Sequence, residues 1–478
     1  MFEDLLTYVV DEGLKLGAEY VEVRYHKNTS FNHSARNGEV IGVGRNFSEG
    51  IGIRVLVKGS MGFSATNILT RESVREALEK AFKQAKAHSS FMKEPIKFAE
   101  ARMGKASYEA LEKIPFDSVE IEEKIKFHNE AWNTIKNVLK EAKIPVLFTS
   151  MNESIEEKIV VNSDGAFVKS RVPRISVMYN VVVAHPQKGS IQRFRSFGAS
   201  GGFEWFKKWD PVKVLLEEVK TFERILVEGK KPPSEEVDVV VGSEVVGLIV
   251  HESCGHPSEA DRIWGREAAQ AGKSFIKKGI IGERIGSKYS TVIDDPTIPG
   301  SSGFYLYDDE GVPARPRYLY KEGVINEHLH NRWTAYLWGV ESNAAARSAG
   351  YYGEPIIRMA NTYFKPGDYT FEELIEDIRY GVFIKSYMEW NIDDERWSQR
   401  YGGLEAYLIE NGELKGFIRN PVLEITTKAF YSKVDGADKN LEFYPGTCGK
   451  GEPMQGVPVW FGGPNVRLRK VRLGVIPA

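Results

Sequence analysis

The sequence predicts an α+β protein: an N-terminal mixed α/β region followed by a largely antiparallel β C-terminal domain that carries a metal-site helix. Three observations lead there. The first half alternates helical periods with strand-like stretches. A break at Lys230-Lys231-Pro232-Pro233 falls near the middle of the 478-residue chain. Beyond Val237, short apolar runs separated by Gly, Pro and Asp turns dominate. On this reading residues 1–230 form the N-terminal region, with sub-parts 1–90 and 117–230, and residues 236–478 form the C-terminal domain. The length suffices for two or three domains with sizeable cores.

The elements follow in order. Leu5, Leu6, Val9, Val10 and Leu14 mark an amphipathic helix over about 2–17. Tyr20–Tyr25 alternates as a strand, and strand-like segments continue through Ile53–Val57. In Gly50-Ile51-Gly52-Ile53-Arg54-Val55 the glycines belong to sheet packing, because the third glycine of a dinucleotide fingerprint is missing. Val74, Leu78, Ala81, Phe82 and Ala85 predict a helix over 71–87, and 89–116 reads as a connection. A further helix is expected from Asp117, with Glu120 completing a capping box and Ile121, Ile125, Trp132, Ile135 and Leu139 as its apolar stripe. Asn162-Ser163-Asp164-Gly165 signals a hairpin. The glycine- and aromatic-rich stretch 199–210 reads as a mobile loop, and 211–227 as a helix. In the C-terminal half only the metal-site helix and one near 371–380 interrupt the strands.

Composition narrows the function. The formal net charge is −2 with no long basic run, which argues against nucleic acid as a partner. No apolar stretch of about 18 residues predicts a membrane span. The start, Met1-Phe2-Glu3-Asp4, is unlike a signal peptide. Two cysteines in so long a chain argue against a disulfide framework. A cytoplasmic protein is expected.

The most informative motif is His251-Glu252-Ser253-Cys254-Gly255-His256. Two histidines and a carboxylate are the parts of a hydrolytic metal site: imidazole nitrogens bind zinc, and a glutamate beside a ligand is placed to take a proton from water. The spacing is unusual. Histidines four apart share a helical face, whereas five apart they diverge by roughly 140° on a regular helix. Either a π-type turn intervenes or the helix stops between them. Gly255 as a left-handed terminator and Pro257, which biases His256 away from helix, favour stopping. Ser243 is the expected N-cap, and Val245, Val246, Leu248, Ile249 and Val250 make the helix apolar and buried.

Zinc hydrolases normally use three protein ligands. Cys448, in the glycine-rich Pro445-Gly446-Thr447-Cys448-Gly449-Lys450-Gly451, is the candidate third. Cys254 competes but would strain a tetrahedral site; a small buried residue at Cys448 and a Cys254–Cys448 disulfide are the alternatives. Glu259 and Asp261 could orient the histidines. His328 and His330, two apart, would share a strand face and could form a second site. Asp294-Asp295-Pro296 and Asp308-Asp309-Glu310-Gly311 read as turns, with substrate or ion contacts as the other possibility.

At these residues the chain resembles the TldD/PmbA family of metalloproteases, on the motif-bearing TldD side. The resemblance spans nearly the whole chain. It rests on Gly59 through Thr66, His251 through Asp261, Asp294 through Gly300, Tyr307 through Gly311, Arg358 through Thr362, and Cys448-Gly449-Lys450, in that order. It implies a two-domain α+β fold, metal ligands at His251, His256 and Cys448, and the motif glutamate at Glu252. It also implies cleavage of unfolded or extended peptides, and a homodimer or a heterodimer with a PmbA-like subunit. The expected activity is therefore that of a zinc-dependent metallopeptidase with Glu252 as general base. Iron(II) is the alternative ion because the thiolate makes the metal less acidic. A non-catalytic assembly subunit with a structural metal, or a metal amidohydrolase acting on small amides, are the rival readings.

Overall fold

Long strands organise the N-terminal half. A computed structural model of the chain describes residues 2–267 and 272–475. Helix α1 (Phe2–Lys15) leads into β1 (Tyr20–Arg36), β2 (Glu39–Val57) and β3 (Ser60–Thr66), followed by α2 (Arg71–His88). After β4 (Lys105–Glu109) and α3 (Ile121–Ile135) come β5 (Lys143–Asn162), β6 (Phe167–His185) and β7 (Gly189–Ser200), then α4 (Glu204–Trp209) and α5 (Pro211–Glu228). The strands form one sheet in the order β3-β2-β1-β5-β6-β4, with β7 also on β6. One sheet therefore runs through both N-terminal sub-parts. Leu6, Val9, Val74 and Leu78 of α1 and α2 pack on Val21, Val23, Ile53 and Val55. Further along, Phe127, Ala131, Leu215, Val219 and Phe222 of α3 and α5 pack on Leu147, Val177, Tyr179 and Val181.

Three local expectations are corrected here. The stretch 89–116 holds β4, which adds to β6 in parallel. The helix expected from Asp117 starts at Ile121; Phe116–Ser118 is a separate 3₁₀ turn, and Glu120 makes no side-chain cap. Its buried stripe is Lys124, Phe127, His128, Ala131 and Ile135. Two polar members can face inward because Lys124 pairs with Glu153 at 2.8 Å and His128 bonds Thr149 at 2.6 Å. Nor is 199–210 a mobile loop. Its aromatics anchor α4, with Trp205 stacked near Trp209 and its indole N–H donated to the Ser200 carbonyl. Asp210 then caps α5, whose first turn takes Pro211. The hairpin turn at 162–165 joins β5 to β6 as the sequence predicts.

Strand β8 (Glu236–Val241) is the spine of the C-terminal half. Its valines are all but fully buried, and it lies between the parallel strand Tyr380–Ile384 and the antiparallel strand Val466–Arg472. A second six-stranded sheet includes Val292–Asp294, Asn361–Phe364, Gln455–Gly463 and Glu442–Lys450. Most of the pairing is antiparallel, with parallel exceptions at β8 and at Asn361–Phe364 on Gln455–Gly463. Helix α6 (Ser243–Val250), buried along its length, packs on this second sheet. The approach is close enough that a Cβ at Gly247 would come within 2.6 Å of the Gly462 nitrogen. Ser243 is inside the helix; Gly242 is the N-cap and supplies no side-chain cap. Besides the helix expected near 371–380 (Phe371–Ile375), short helices occupy Ala260–Trp264, Arg332–Trp338 and Thr427–Lys433.

Buried ion pairs join the halves. Arg54 of β2 reaches both Glu22 (2.6 Å) and Glu310 (2.7 Å), Lys158 reaches Asp309 (2.8 Å), and Arg193 reaches Glu244 (3.0 Å). The two acidic groups thus do more than turn the chain. Asp308 accepts the backbone N–H groups of Glu310 and Val312, as a turn residue does. Its neighbours Asp309 and Glu310 are buried counter-ions, and Asp294 is the counter-ion of fully buried Arg317. The glycines of β2 do serve packing, since a Cβ at Gly52 would meet the Tyr351 carbonyl at 2.4 Å.

Candidate metal centre

Helix α6 does not end between the two histidines. The chain continues through a π-helical turn, His251–Gly255, in which the His256 N–H reaches the His251 carbonyl. A 3₁₀ turn, His256–Ser258, follows. Gly255 sits at φ −60°, ψ −64°, right-handed rather than left-handed, and His256 is helical despite Pro257. Pro257 is tolerated because it falls in the first turn of the 3₁₀ segment, where its missing N–H is no loss. The glycine is needed for space: a Cβ at position 255 would lie 1.9 Å from the Met359 sulfur. The wider turn brings the two rings to the same side, centroids 5.0 Å apart and nearly perpendicular.

Cys448 comes from the strand Glu442–Lys450. Its Sγ lies 3.5 Å from His256 Nε2, and one ligating atom from each of His251, His256 and Cys448 lies within 4.8 Å of the others. Among the described residues this is the one group of three or more His, Cys, Asp or Glu side chains so arranged. The donor set suits zinc or iron(II), and His251 Nδ1 is buried with no hydrogen-bond partner among the described residues. Cys254 lies outside the group, deep in the core, where burial pushes its thiol well up. Both cysteines are free, so the disulfide alternative falls.

The surroundings orient the ligands. His256 Nδ1 contacts Glu259 Oε2 at 3.0 Å, which leaves Nε2 facing Cys448. Burial raises the Glu259 carboxyl, but Lys450 and Arg262 more than offset this and hold it well below the usual range. Asp261 binds Lys450 through both oxygens, at 2.7 and 2.8 Å. Cys448 and Lys450 are two apart on one strand and so share a face: the thiol meets His256 while the ammonium meets Glu259 and Asp261. Burial of both imidazoles lowers their pKa values, which favours the neutral form that ligates. Burial raises the Cys448 thiol, yet His256 and then Arg358 bring it down to about 7. In metal-free protein, alkylation of Cys448 by iodoacetamide should therefore increase as pH rises through about 7, because the thiolate is the reactive form. Cys254 should stay unlabelled while the fold persists; equal labelling of the two would contradict this assignment.

Glu252 lies at the mouth of the π turn. Its Oε2 accepts from Arg396 Nη1 at 2.5 Å. Arg396 was not legible in the sequence: it sits at φ 68° in a turn far along the chain, and no motif marks it. His251, Glu252 and Cys448 open onto a cleft of about 800 Å³ between the two halves. Its N-terminal wall uses alternate residues of β5 (Ser150, Asn152, Ser154, Glu156) beside residues of β1 and β6, a hydroxyl-rich sheet face that is charged at Glu156 and Arg174. His328 and His330 do not build a second centre. No third ligand joins them among the described residues, and His330 bonds Thr334 instead.

This combination of folds, with a buried His-His-Cys cluster beside a cleft, defines the class of an α+β protein with a candidate metal centre. The chain belongs to the PmbA/TldD family of metallopeptidases, as a motif-bearing TldD-type member. The PmbA/TldA metallopeptidase C-terminal domain matches residues 234–475, domain 1 matches 21–87 and the central domain matches 114–226. A metalloprotease of Methanocaldococcus jannaschii is 33% identical over 96% of this chain and 97% of its own. A zinc metalloprotease TldD homolog of Saccharolobus solfataricus is 26% identical over 96% of this chain and 97% of its own. Among solved structures, a Thermotoga maritima protein described as a modulator of a DNA gyrase shares the fold with TM-score 0.78 and 18% identity, over 99% of this chain and 100% of its own. TldE from Thermococcus kodakarensis does so with TM-score 0.73 and 18% identity, over 98% and 100%. No helix among the described residues is long and apolar enough to cross a membrane.

Proposed function

We propose that this chain is a zinc-dependent metallopeptidase that cleaves unfolded or extended peptides, with His251, His256 and Cys448 as metal ligands and Glu252 as general base. The observation that carries the reading is the approach of three ligating atoms to within 4.8 Å, with Glu252 next in the chain and open to the same cleft. An ion held there supplies Lewis acidity, which acidifies water and polarises a carbonyl. Glu252 takes the proton from the attacking water and passes it to the leaving amine. Arg396 holds the Glu252 carboxylate in place. The cleft's exposed sheet face favours an extended chain, which can align along strands with its side chains alternating. Iron(II) is the second candidate ion, since a thiolate ligand suits it too. The working unit is a homodimer or a heterodimer with a PmbA-like subunit, an arrangement in keeping with the shared fold of TldE, and the working compartment is the cytoplasm.

The test is to incubate the zinc-loaded protein with a random peptide pool, a folded protein and small-molecule amides, and to follow products by mass spectrometry. Cleavage of the pool, lost with chelator and restored by zinc, is expected. Turnover of the small amides with the peptides left intact would point to the amidohydrolase instead.

A further inference from the structure

A small recess opens beside the cleft, at the end of its wall where Glu156 and Arg174 carry charge. It measures about 40 Å³, room for roughly two or three waters and hence for a carboxylate group. Recess and cleft share Glu156, Arg174, Ala349, Gly456 and Pro458 in their walls, so the one adjoins the other. Three cations line it, Lys158, Arg174 and Arg347, against a single carboxylate, Glu156. Glu156 is shared by Lys158 (3.0 Å) and Arg174 (3.1 Å), and Lys158 has Asp309 as well. Arg347 is different. It is buried, it donates to the Met359 and Pro458 carbonyls at 2.6 and 2.9 Å, and it packs over the Tyr305 ring. Among the described residues it has no carboxylate partner. Burial weighs most against its charge and the neighbouring Arg174 and Arg358 cations add to this, only partly offset by Tyr305 and Glu156. A buried guanidinium whose nearby carboxylate, Glu156, is already shared by two other cations is under-compensated and costly, and a cation facing a recess beside a binding cleft is relieved when an anion enters.

Pro458 ties this recess to the candidate centre. It lies on the strand that pairs with Cys448, next to that cysteine's cross-strand partner Val457. A chain lying in the cleft thus passes both. We infer that the recess at Arg347 receives a carboxylate of the bound peptide, either its C-terminal carboxylate or an acidic side chain, and so fixes how the peptide sits in the cleft. This rests on the peptidase reading for its meaning, but binding can be tested apart from cleavage.

The full-length protein, dialysed against chelator so that binding is read without turnover, is titrated into three dye-labelled random hexapeptide pools. One pool ends in a free acid, one in an amide, and one in glutamate amide; fluorescence anisotropy gives Kd. A charge-assisted contact predicts about tenfold tighter binding of a carboxylate-bearing pool than of the plain amide. Preference for the free acid alone identifies the terminus as the source, and recovery in the glutamate amide identifies the side chain. Arg347→Gln, which can still donate to a carbonyl, should remove the preference, and Arg347→Lys should retain it; thermal melts establish that both fold. Should Arg347→Gln fail to fold, the pool comparison on the unaltered protein and Arg347→Lys decide. Equal Kd values for all three pools, or a preference that survives Arg347→Gln, would overturn the inference. Loss of cleavage by the metal-loaded protein with the carboxylate preference intact would instead count against the peptidase reading alone.

Discussion

Glu252→Gln is expected to keep its metal and lose its activity, with peptide cleavage falling by about a hundred- to ten-thousandfold, the range general base catalysis contributes. The amide is nearly isosteric and can still accept from Arg396 through its oxygen, so the π turn and the His-His-Cys group should stand. What it lacks is a site for the proton. Arg396 donates to the carboxylate at 2.5 Å and orients it. The checks are metal content by elemental analysis and steady-state kinetics on the same preparation. An active Glu252→Gln protein would remove the glutamate from the mechanism, and loss of metal would make its role structural.

Arg54→Met is expected to destabilise the fold by about 3–5 kcal/mol, because removing one partner of a buried ion group strands the others. Arg54 is 2% exposed and holds both Glu22 and Glu310. Burial already raises the Glu22 carboxyl, and Arg54 is the main cation that counters it, with Arg24 adding less. Without the guanidinium both carboxylates would be buried without their ion-pair partner, left to the weaker influence of Arg24 and Arg332, at the junction of the N-terminal sheet with the C-terminal half. Chemical denaturation of the variant and the unaltered protein, compared at one pH, measures this. A change below about 1 kcal/mol, the range of an exposed pair, would show that the group is solvated and does not join the halves.

Much of the frame was legible in the sequence because periodicity reports burial. The stripe of α2 and the apolar run of α6 each reported their element and its environment. Where polar groups are buried in pairs, that signal inverts. Lys124 and His128 of α3 face the core, so the expected stripe missed part of the buried face: Ile135 is buried and Trp132 and Leu139 pack against the core, but Ile121 is exposed. Aromatic, glycine-rich 199–210 looked like a loop because no period shows in so short a helix. At the candidate centre, the vocabulary of His251, Glu252, His256 and Cys448 was visible, and so was the problem of a five-residue spacing. Its resolution was not. Gly255 and Pro257 carry the local signature of a helix end, yet the chain stays helical, and the glycine is there because Met359, a hundred residues on, fills the space where a side chain would stand. Arg396 and Arg347 could not have been picked out, since each acts through a distant partner and neither lies in a motif.

The most direct test of the central claim is the metal content of the purified protein beside Cys448→Ala and Cys254→Ala. The His-His-Cys assignment predicts about one zinc or iron ion per chain, lost in Cys448→Ala and kept in Cys254→Ala. Protein that stays without metal after loading with zinc, or that loses its ion equally in both variants, would contradict it.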